Sequence, residues 1–284
     1  MKISRIELFH VSIPLRETFW PTWIPGYPQT HNRFTLIKLV TDEGIEGYSA
    51  GSAMGKEREG LGDLLGGYLM GADPTDIGRV QDLLKQAGIL GWRNFWIEPA
   101  CWDIIGKKAG KPVYEVLGGR ARPVEVYCST GEMHDPDRRA EEIMAVKEMG
   151  YRCAKLRVKS IELKDDIRQI ETVRKKIGKD FMLGVDANQG WLVTIVDKVP
   201  AWDLARAKKF ADACHRNGIE WLEEPLDSRD YSGNAALKKY SKVKISGAEL
   251  NYGWDEIKIM FEKDCFHIYQ PDATFAGGIA QVKK

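Results

Sequence analysis

Paired cysteines, a sizeable net charge and a long apolar run are all missing from this 284-residue chain. Its five cysteines, Cys101, Cys128, Cys153, Cys214 and Cys265, are scattered, odd in number and without a C-x-x-C pair. That argues against a disulfide framework and for small buried hydrophobes. Lys plus Arg total 42 against 41 Asp plus Glu, a formal net charge of +1. No global field steers such a chain toward nucleic acid or an anionic membrane, so neither is expected as a partner. The nearest approach to an apolar run, residues 64–72, is broken by glycine and far short of the ~20 residues of a membrane helix. The first residues alternate from 3 to 13 with Lys2, Arg5 and Glu7 interleaved, a strand pattern and not a signal peptide. These features predict a soluble cytoplasmic protein, and 43% hydrophobic residues suffice for a sizeable core.

What is present has two rhythms. Strand patterns at 3–14, 34–41 and 45–50 flank an aromatic, Pro-containing loop at 19–33 and an Asp42-Glu43-Gly44 turn. Helical patterns follow at 57–71, 75–87 and 92–117, the last interrupted by Pro99 and stopped by Gly118-Gly119. This predicts an α+β domain over residues 1–122. From residue 123 strand-like runs recur at 124–130, 153–158, 182–188, 221–225, 244–249 and 267–273, with amphipathic helical stretches between them. The alternation predicts a parallel sheet, and six units in succession favour an α/β barrel of the TIM type over 123–284. A complete eight-unit barrel takes about 250 residues, so six of eight units are expected, the barrel being truncated after its sixth strand.

In such folds the chemistry sits at the C-terminal ends of the strands. Those ends read Lys155-Leu156-Arg157, Asp186-Ala187-Asn188, Glu223-Glu224-Pro225, Ala248-Glu249 and Pro271-Asp272. Strand alternation puts Lys155 and Arg157 on one face, opposite Ala154 and Leu156. Asp186, Glu223 and Glu249 end three successive strands spaced roughly 4.8 Å apart, so their carboxylates are expected to converge. Converging carboxylates repel unless a cation neutralises them, and an all-oxygen set selects a hard ion, here Mg²⁺.

These motifs resemble the enolase superfamily, in particular the mandelate racemase/muconate lactonizing enzyme group. Val185-Asp186-Ala187-Asn188-Gln189, Leu222-Glu223-Glu224-Pro225 and Gly247-Ala248-Glu249 are similar to its three metal-ligand motifs. Gln270-Pro271-Asp272 with Gly277-Gly278-Ile279 is similar to its sixth-strand segment. The resemblance implies a capping domain before the barrel, Mg²⁺ held by Asp186, Glu223 and Glu249, and abstraction of the proton alpha to a carboxylate through an enediolate. It implies a small-molecule carboxylate as substrate, acid-sugar dehydration as the leading reaction, and a homo-oligomer. Racemisation, epimerisation or cycloisomerisation, and a truncated member that binds metal without turnover, are the alternatives.

Within that resemblance Lys155 lies against the substrate carboxylate and Arg157 takes the place of a basic Lys. Lys-x-Arg departs from the usual Lys-x-Lys, and a guanidinium is a poor proton acceptor, so Arg157 is expected to donate hydrogen bonds. Asp272 occupies the position that orients a histidine on the next strand, yet no histidine follows His267. His267 itself is expected to be structural. His31 and Trp23 in the 19–33 loop, Asn188 and Glu132 are the expected substrate contacts, with a Gly-rich loop at 49–60 beside them.

Overall fold

The computed structural model describes residues 1–52, 60–90, 93–193, 195–196 and 199–284. Most of the 49–60 loop, the expected helix start at 57–59 and Trp92 lie outside the described residues.

Antiparallel strands β1 (Ile3–Phe19), β2 (Gln29–Thr41) and β3 (Glu46–Ser52) pair in that order. In β2, Thr35, Ile37, Leu39 and Thr41 are buried and the residues between them are not, the period of two that one covered face requires. That face meets α1 (Leu61–Leu69), α2 (Ile77–Leu90) and α3 (Glu98–Ala109) around Ile37, Leu39, Leu65, Leu84 and Ile104. A 3₁₀ turn at Phe95–Ile97 leads into α3, and the single turn α4 (Val113–Val116) follows it. Pro99 sits in the first turn of α3, where its missing N–H costs no hydrogen bond.

Two expectations change here. β1 continues past Pro14 to Phe19, with irregular pairing between those residues, because an edge strand tolerates a proline. β2 starts at Gln29, so the aromatic loop shrinks to residues 20–28, and His31 lies on a strand.

The second domain alternates β4 (Cys128–Ser129), α5 (Pro136–Glu148), β5 (Cys153–Arg157), α6 (Leu163–Ile177), β6 (Met182–Asp186) and α7 (Leu204–Arg216). It continues with β7 (Trp221–Glu223), α8 (Tyr231–Tyr240), β8 (Lys244–Gly247), α9 (Gly253–Glu262), β9 (Ile268–Tyr269), α10 (Ala273–Ala276) and α11 (Ile279–Val282). All six strands are parallel, ordered β4-β5-β6-β7-β8-β9. Helix starts are set by Asp135, Asp203 and Asp230, whose carboxylates accept backbone N–H groups of α5, α7 and α8.

The register explains both the core and the site. Leu156, Val185, Leu222 and Ile245 form one row across β5–β8, all fully buried against Ile143, Ile170, Phe210 and Leu237. Each such side chain contributes roughly 1.5–3 kcal/mol by leaving water. The next row, Arg157, Asp186, Glu223 and Ser246, is polar throughout and faces the other way. The first strand is shorter than its apolar pattern suggests. Val124 and Val126 are 74% and 65% exposed, and among the described residues β4 has a strand partner in β5 alone. All five cysteines are free, and four are buried.

Candidate metal and carboxylate site

Asp186 and Glu223 stand side by side in register at the ends of β6 and β7, 0% and 2% exposed. Two cations from β5 meet them. Lys155 Nζ lies 2.5 Å from Glu223 Oε1 and 3.5 Å from Asp186 Oδ2, and Arg157 Nη1 donates to Asp186 Oδ2 at 2.5 Å. The Arg157 Nε–H donates to the Thr130 carbonyl at 2.9 Å, which fixes the guanidinium plane. The Asn188 N–H donates to Asp186 Oδ1 at 2.7 Å. Trp221 Nε1 and Gln270 Nε2 each donate to Glu223 Oε2 at 3.2 Å.

Burial above all, then the Glu223 charge, pushes Asp186 up to about 7 against the pull of Arg157 and Lys155. Burial alone would raise Glu223 too, but the Lys155 charge and hydrogen bond outweigh it and hold Glu223 low. Burial would lower Lys155, and the charges of Asp186 and Glu223 more than reverse that. Asp186 is therefore the acid of the pair that takes up a proton more readily, while the charges of both acids favour the protonated amine.

Glu249 lies beyond the end of β8, two residues past Gly247, with its side chain open to solvent. The surrounding protein and then the Glu223 charge raise its proton affinity as well. The three acids thus share one end of the sheet and feel each other's charge. Among the described residues no three Asp, Glu, His or Cys side chains stand close enough to hold a metal ion in this arrangement, where cations neutralise the inner pair. The donor chemistry still fits a hard divalent cation: Asp186 and Glu223 are adjacent carboxylates, the three acids outnumber the two cations Lys155 and Arg157, and Glu249 is solvent-open.

The other sequence-derived candidates divide. Asn188 is 3% exposed in a left-handed conformation (φ 48°), and its Oδ1 has no hydrogen-bond partner among the described residues. Trp23 covers Arg157, the guanidinium carbon lying 5.1 Å from its ring, and with His31 it lines a cavity of about 850 Å³. Glu132 does not line that cavity. Its carboxylate accepts the Trp20 N–H at 2.6 Å and faces His134, joining the two domains. Asp272 caps α10, its Oδ1 accepting both the N–H and the hydroxyl of Thr274 at 2.7 Å. His267 Nδ1 accepts the Ile245 N–H at 3.0 Å, a structural role as expected.

Some residues escaped the sequence reading. Glu224 is buried in a left-handed conformation with neither oxygen hydrogen-bonded among the described residues, raised well above the usual range by burial and then by Asp186 and Glu249. Lys159 continues the alternation of Lys155 and Arg157 and is 5% exposed, its amine 3.3 Å from the Asn188 carbonyl. Burial lowers it to about 8.

Comparison with known proteins places the chain in a family. The family described as "Mandelate racemase / muconate lactonizing enzyme, N-terminal domain" matches residues 9–118, and "Enolase C-terminal domain-like" matches residues 138–284. The N-succinyl-L-Arg/Lys racemase of Bacillus cereus is 32% identical over 86% of this chain and 65% of its own length. Its crystal structure superposes with a TM-score of 0.85 over 99% of this chain and 75% of that one. The L-talarate/galactarate dehydratase of Salmonella typhimurium is 29% identical over 90% of this chain and 65% of its own length. A variant of an L-talarate/galactarate dehydratase liganded with Mg and L-glucarate superposes at 25% identity with a TM-score of 0.83, covering 99% of this chain and 72% of that one. This chain thus spans less than two thirds of those two curated relatives. With both domains matched and the strand-end acids in place, the chain belongs to the mandelate racemase/muconate lactonizing enzyme group of the enolase superfamily.

Proposed function

We propose that this chain carries the metal-binding face of an enzyme that removes the proton alpha to a carboxylate, by way of an enediolate, for the dehydration of an acid sugar. The observation that carries the reading is the row of Arg157, Asp186 and Glu223 in register, with Lys155 reaching both acids. Asp186, Glu223 and Glu249 would hold Mg²⁺. When bound, Mg²⁺ supplies positive charge against the negative charge that grows on the substrate carboxylate.

The chain's own groups do the rest. Lys155 stays protonated beside the two acids and offers N–H donors to a carboxylate oxygen. Arg157 holds Asp186 in place and is not a proton acceptor. Asn188, whose buried Oδ1 has no hydrogen-bond partner among the described residues, would accept from a substrate hydroxyl. Racemisation, epimerisation and cycloisomerisation begin with the same proton abstraction, and relatives that include a racemase and a dehydratase support the class of chemistry. A second reading, metal binding without turnover, is favoured by one observation: both β5 cations are engaged with acids, so neither serves as base.

The test is titration with Mg²⁺ followed by ¹H NMR in D₂O with a panel of acid sugars. Saturable Mg²⁺ binding lost in Asp186→Asn and Glu223→Gln, with exchange of the alpha proton, is the expected result. Binding without exchange selects the second reading. Mg²⁺ binding that survives both substitutions refutes the ligand assignment.

A further inference from the structure

Asn188 lies between two peptide groups that are both held. Its own N–H donates to Asp186 Oδ1 at 2.7 Å. The peptide that follows is held at both of its polar ends. The Gln189 N–H donates to the Glu224 carbonyl at 2.9 Å, and Lys159 Nζ donates to the Asn188 carbonyl at 3.3 Å. Among the described residues no other group donates to that carbonyl. Asn188 depends on such support, because its left-handed backbone (φ 48°) is costly for any residue with a Cβ.

The rest of the loop is packed from the β7 side. A Cβ built on Gly190 would lie 2.5 and 2.7 Å from the two Glu224 carboxylate oxygens, so the backbone passes over that carboxylate only as glycine. The Ser228 N–H donates to the Gly190 carbonyl at 2.9 Å, and the Ala187 N–H to the Glu223 carbonyl at 3.0 Å. Those ties come from the β7 segment, whereas the Asn188 carbonyl is held from the β5 segment by Lys159 alone.

Lys159 does not serve the fold. Burial disfavours its ammonium, and the charges of Asp186 and then Glu224 only partly offset this. It makes no ion pair among the described residues, and one of its three N–H donors meets a protein acceptor. An ammonium so buried and so sparsely bonded destabilises the native state. Packing therefore gives no reason for a lysine at this position, and the Asn188 carbonyl does.

Resting on the reading above, in which Asn188 accepts from a substrate hydroxyl, we propose that Lys159 is a positioning residue: it fixes the Asn188–Gln189 peptide and so keeps the Asn188 side chain in place for that hydroxyl. The amine itself takes no part in proton transfer. Without it the peptide can rotate, which changes the Asn188 backbone and leaves the strand ladders intact.

Hydrogen exchange and calorimetry on the whole chain test this. In Lys159→Met the Asn188 and Gln189 N–H groups should exchange about 10-fold faster, while thermal unfolding stays put or moves upward. Mg²⁺ alone should bind within about twofold of the unsubstituted chain. At saturating Mg²⁺, galactarate, gluconate and arabinonate are titrated, and the tightest of the three serves as the probe. Lys159→Met should weaken it about 3- to 10-fold, the range of one hydrogen bond. Asn188→Gly, which suits the left-handed backbone, should weaken it to a similar extent. Lys159→Met/Asn188→Gly should lose no more than either alone, against the roughly 10- to 100-fold of independent sites. Losses that multiply, or unchanged exchange at 188 and 189, overturn the positioning role and leave the acid-sugar reading intact. Earlier thermal unfolding with faster exchange throughout the chain assigns Lys159 to the fold and overturns the role too. Binding of none of the three acids overturns that reading and this role together.

Discussion

Gly278→Ala is expected to be among the most damaging single-methyl changes in the chain. Gly278 precedes α11 at φ 97°, ψ 168°, a region that only glycine occupies freely. A Cβ built there lies 1.4 Å from Oε2 of Glu98, a side chain 0% exposed in α3 of the capping domain. The carboxylate cannot simply step aside, because Oε1 accepts Trp102 Nε1–H at 2.8 Å and the Ala280 N–H at 3.1 Å. Backbone strain costs on the order of 1–3 kcal/mol, and displacing a buried acceptor from its partners about 1–3 kcal/mol more. A total of about 2–6 kcal/mol lowers Tm by on the order of 10 °C in a chain of this size. The comparison is Gly150→Ala, at φ 92° with nothing within 4 Å of the added carbon, where strain acts alone. Thermal unfolding of both, with Glu98→Ala and the double variant Glu98→Ala/Gly278→Ala, isolates the clash. The double variant should be milder than the sum by about 1–2 kcal/mol, since the contact is gone. Equal losses for Gly278→Ala and Gly150→Ala, or strict additivity, would refute a clamp between the domains.

Three further outcomes follow from the same geometry. Lys155→Met strips the charge shared by Asp186 and Glu223 and should cost about 3–5 kcal/mol in thermal unfolding, part of it recovered by Mg²⁺; no recovery would count against those acids as ligands. Lys159→Met should stabilise the fold by about 1–3 kcal/mol at neutral pH, where a buried ammonium is lost. With the amine at about 8 in the fold and 10.5 ordinarily, the unfolded chain binds more protons between those values. Wild-type stability therefore rises with pH across that window, and denaturant titrations at about pH 7 and pH 10 should show the variant's advantage shrinking. Asp272→Ala should cost about 1 kcal/mol as a lost helix cap, and Asp272→Asn only a few tenths. If Asp272→Asn keeps its stability but loses proton exchange, the carboxylate has a chemical role beyond the cap.

Much of the molecule is legible in the sequence because it depends on period alone. The alternation of strand and helix gives the parallel order, and the row rule places Lys155, Arg157, Asp186 and Glu223 on one face. Legibility stops where the chain leaves ideal strand geometry. Asn188, Glu224 and Ala248 all take positive φ just past a strand or beside its last acid, so alternation no longer tells which way a side chain turns. Glu224 is buried by that turn, and nothing in Glu-Glu-Pro announces it. Partners distant in sequence are equally silent. Glu132 reads as a pocket residue until Trp20, 112 positions away, is seen to donate to it. Arg93 has no motif at all, and Leu250, Tyr252 and Phe275 hold it in place.

Those distant partners share a location. The Thr22 N–H donates to Gly131 O, Trp20 N–H to Glu132, Ile195 N–H to Pro25 O, Arg93 to Leu250 O, Gln81 to Gly277 O, and Ala280 N–H to Glu98. Every one joins the capping domain to a segment that follows β4, β6, β8 or β9, the end of the sheet where the acids lie. Loops at strand ends carry backbone groups that no ladder satisfies, so a domain that supplies their partners docks there for that reason alone. Docking then builds the cavity wall, since Trp23, His31 and Arg33 come from one domain and Leu250 and Phe275 from the other. A ligand touching both walls binds only the docked arrangement and must stabilise it by the free energy of its own binding. Substitutions that loosen the clamp, Gly278→Ala foremost, should therefore weaken ligand binding at a site they do not touch, and saturating ligand should narrow their loss of stability.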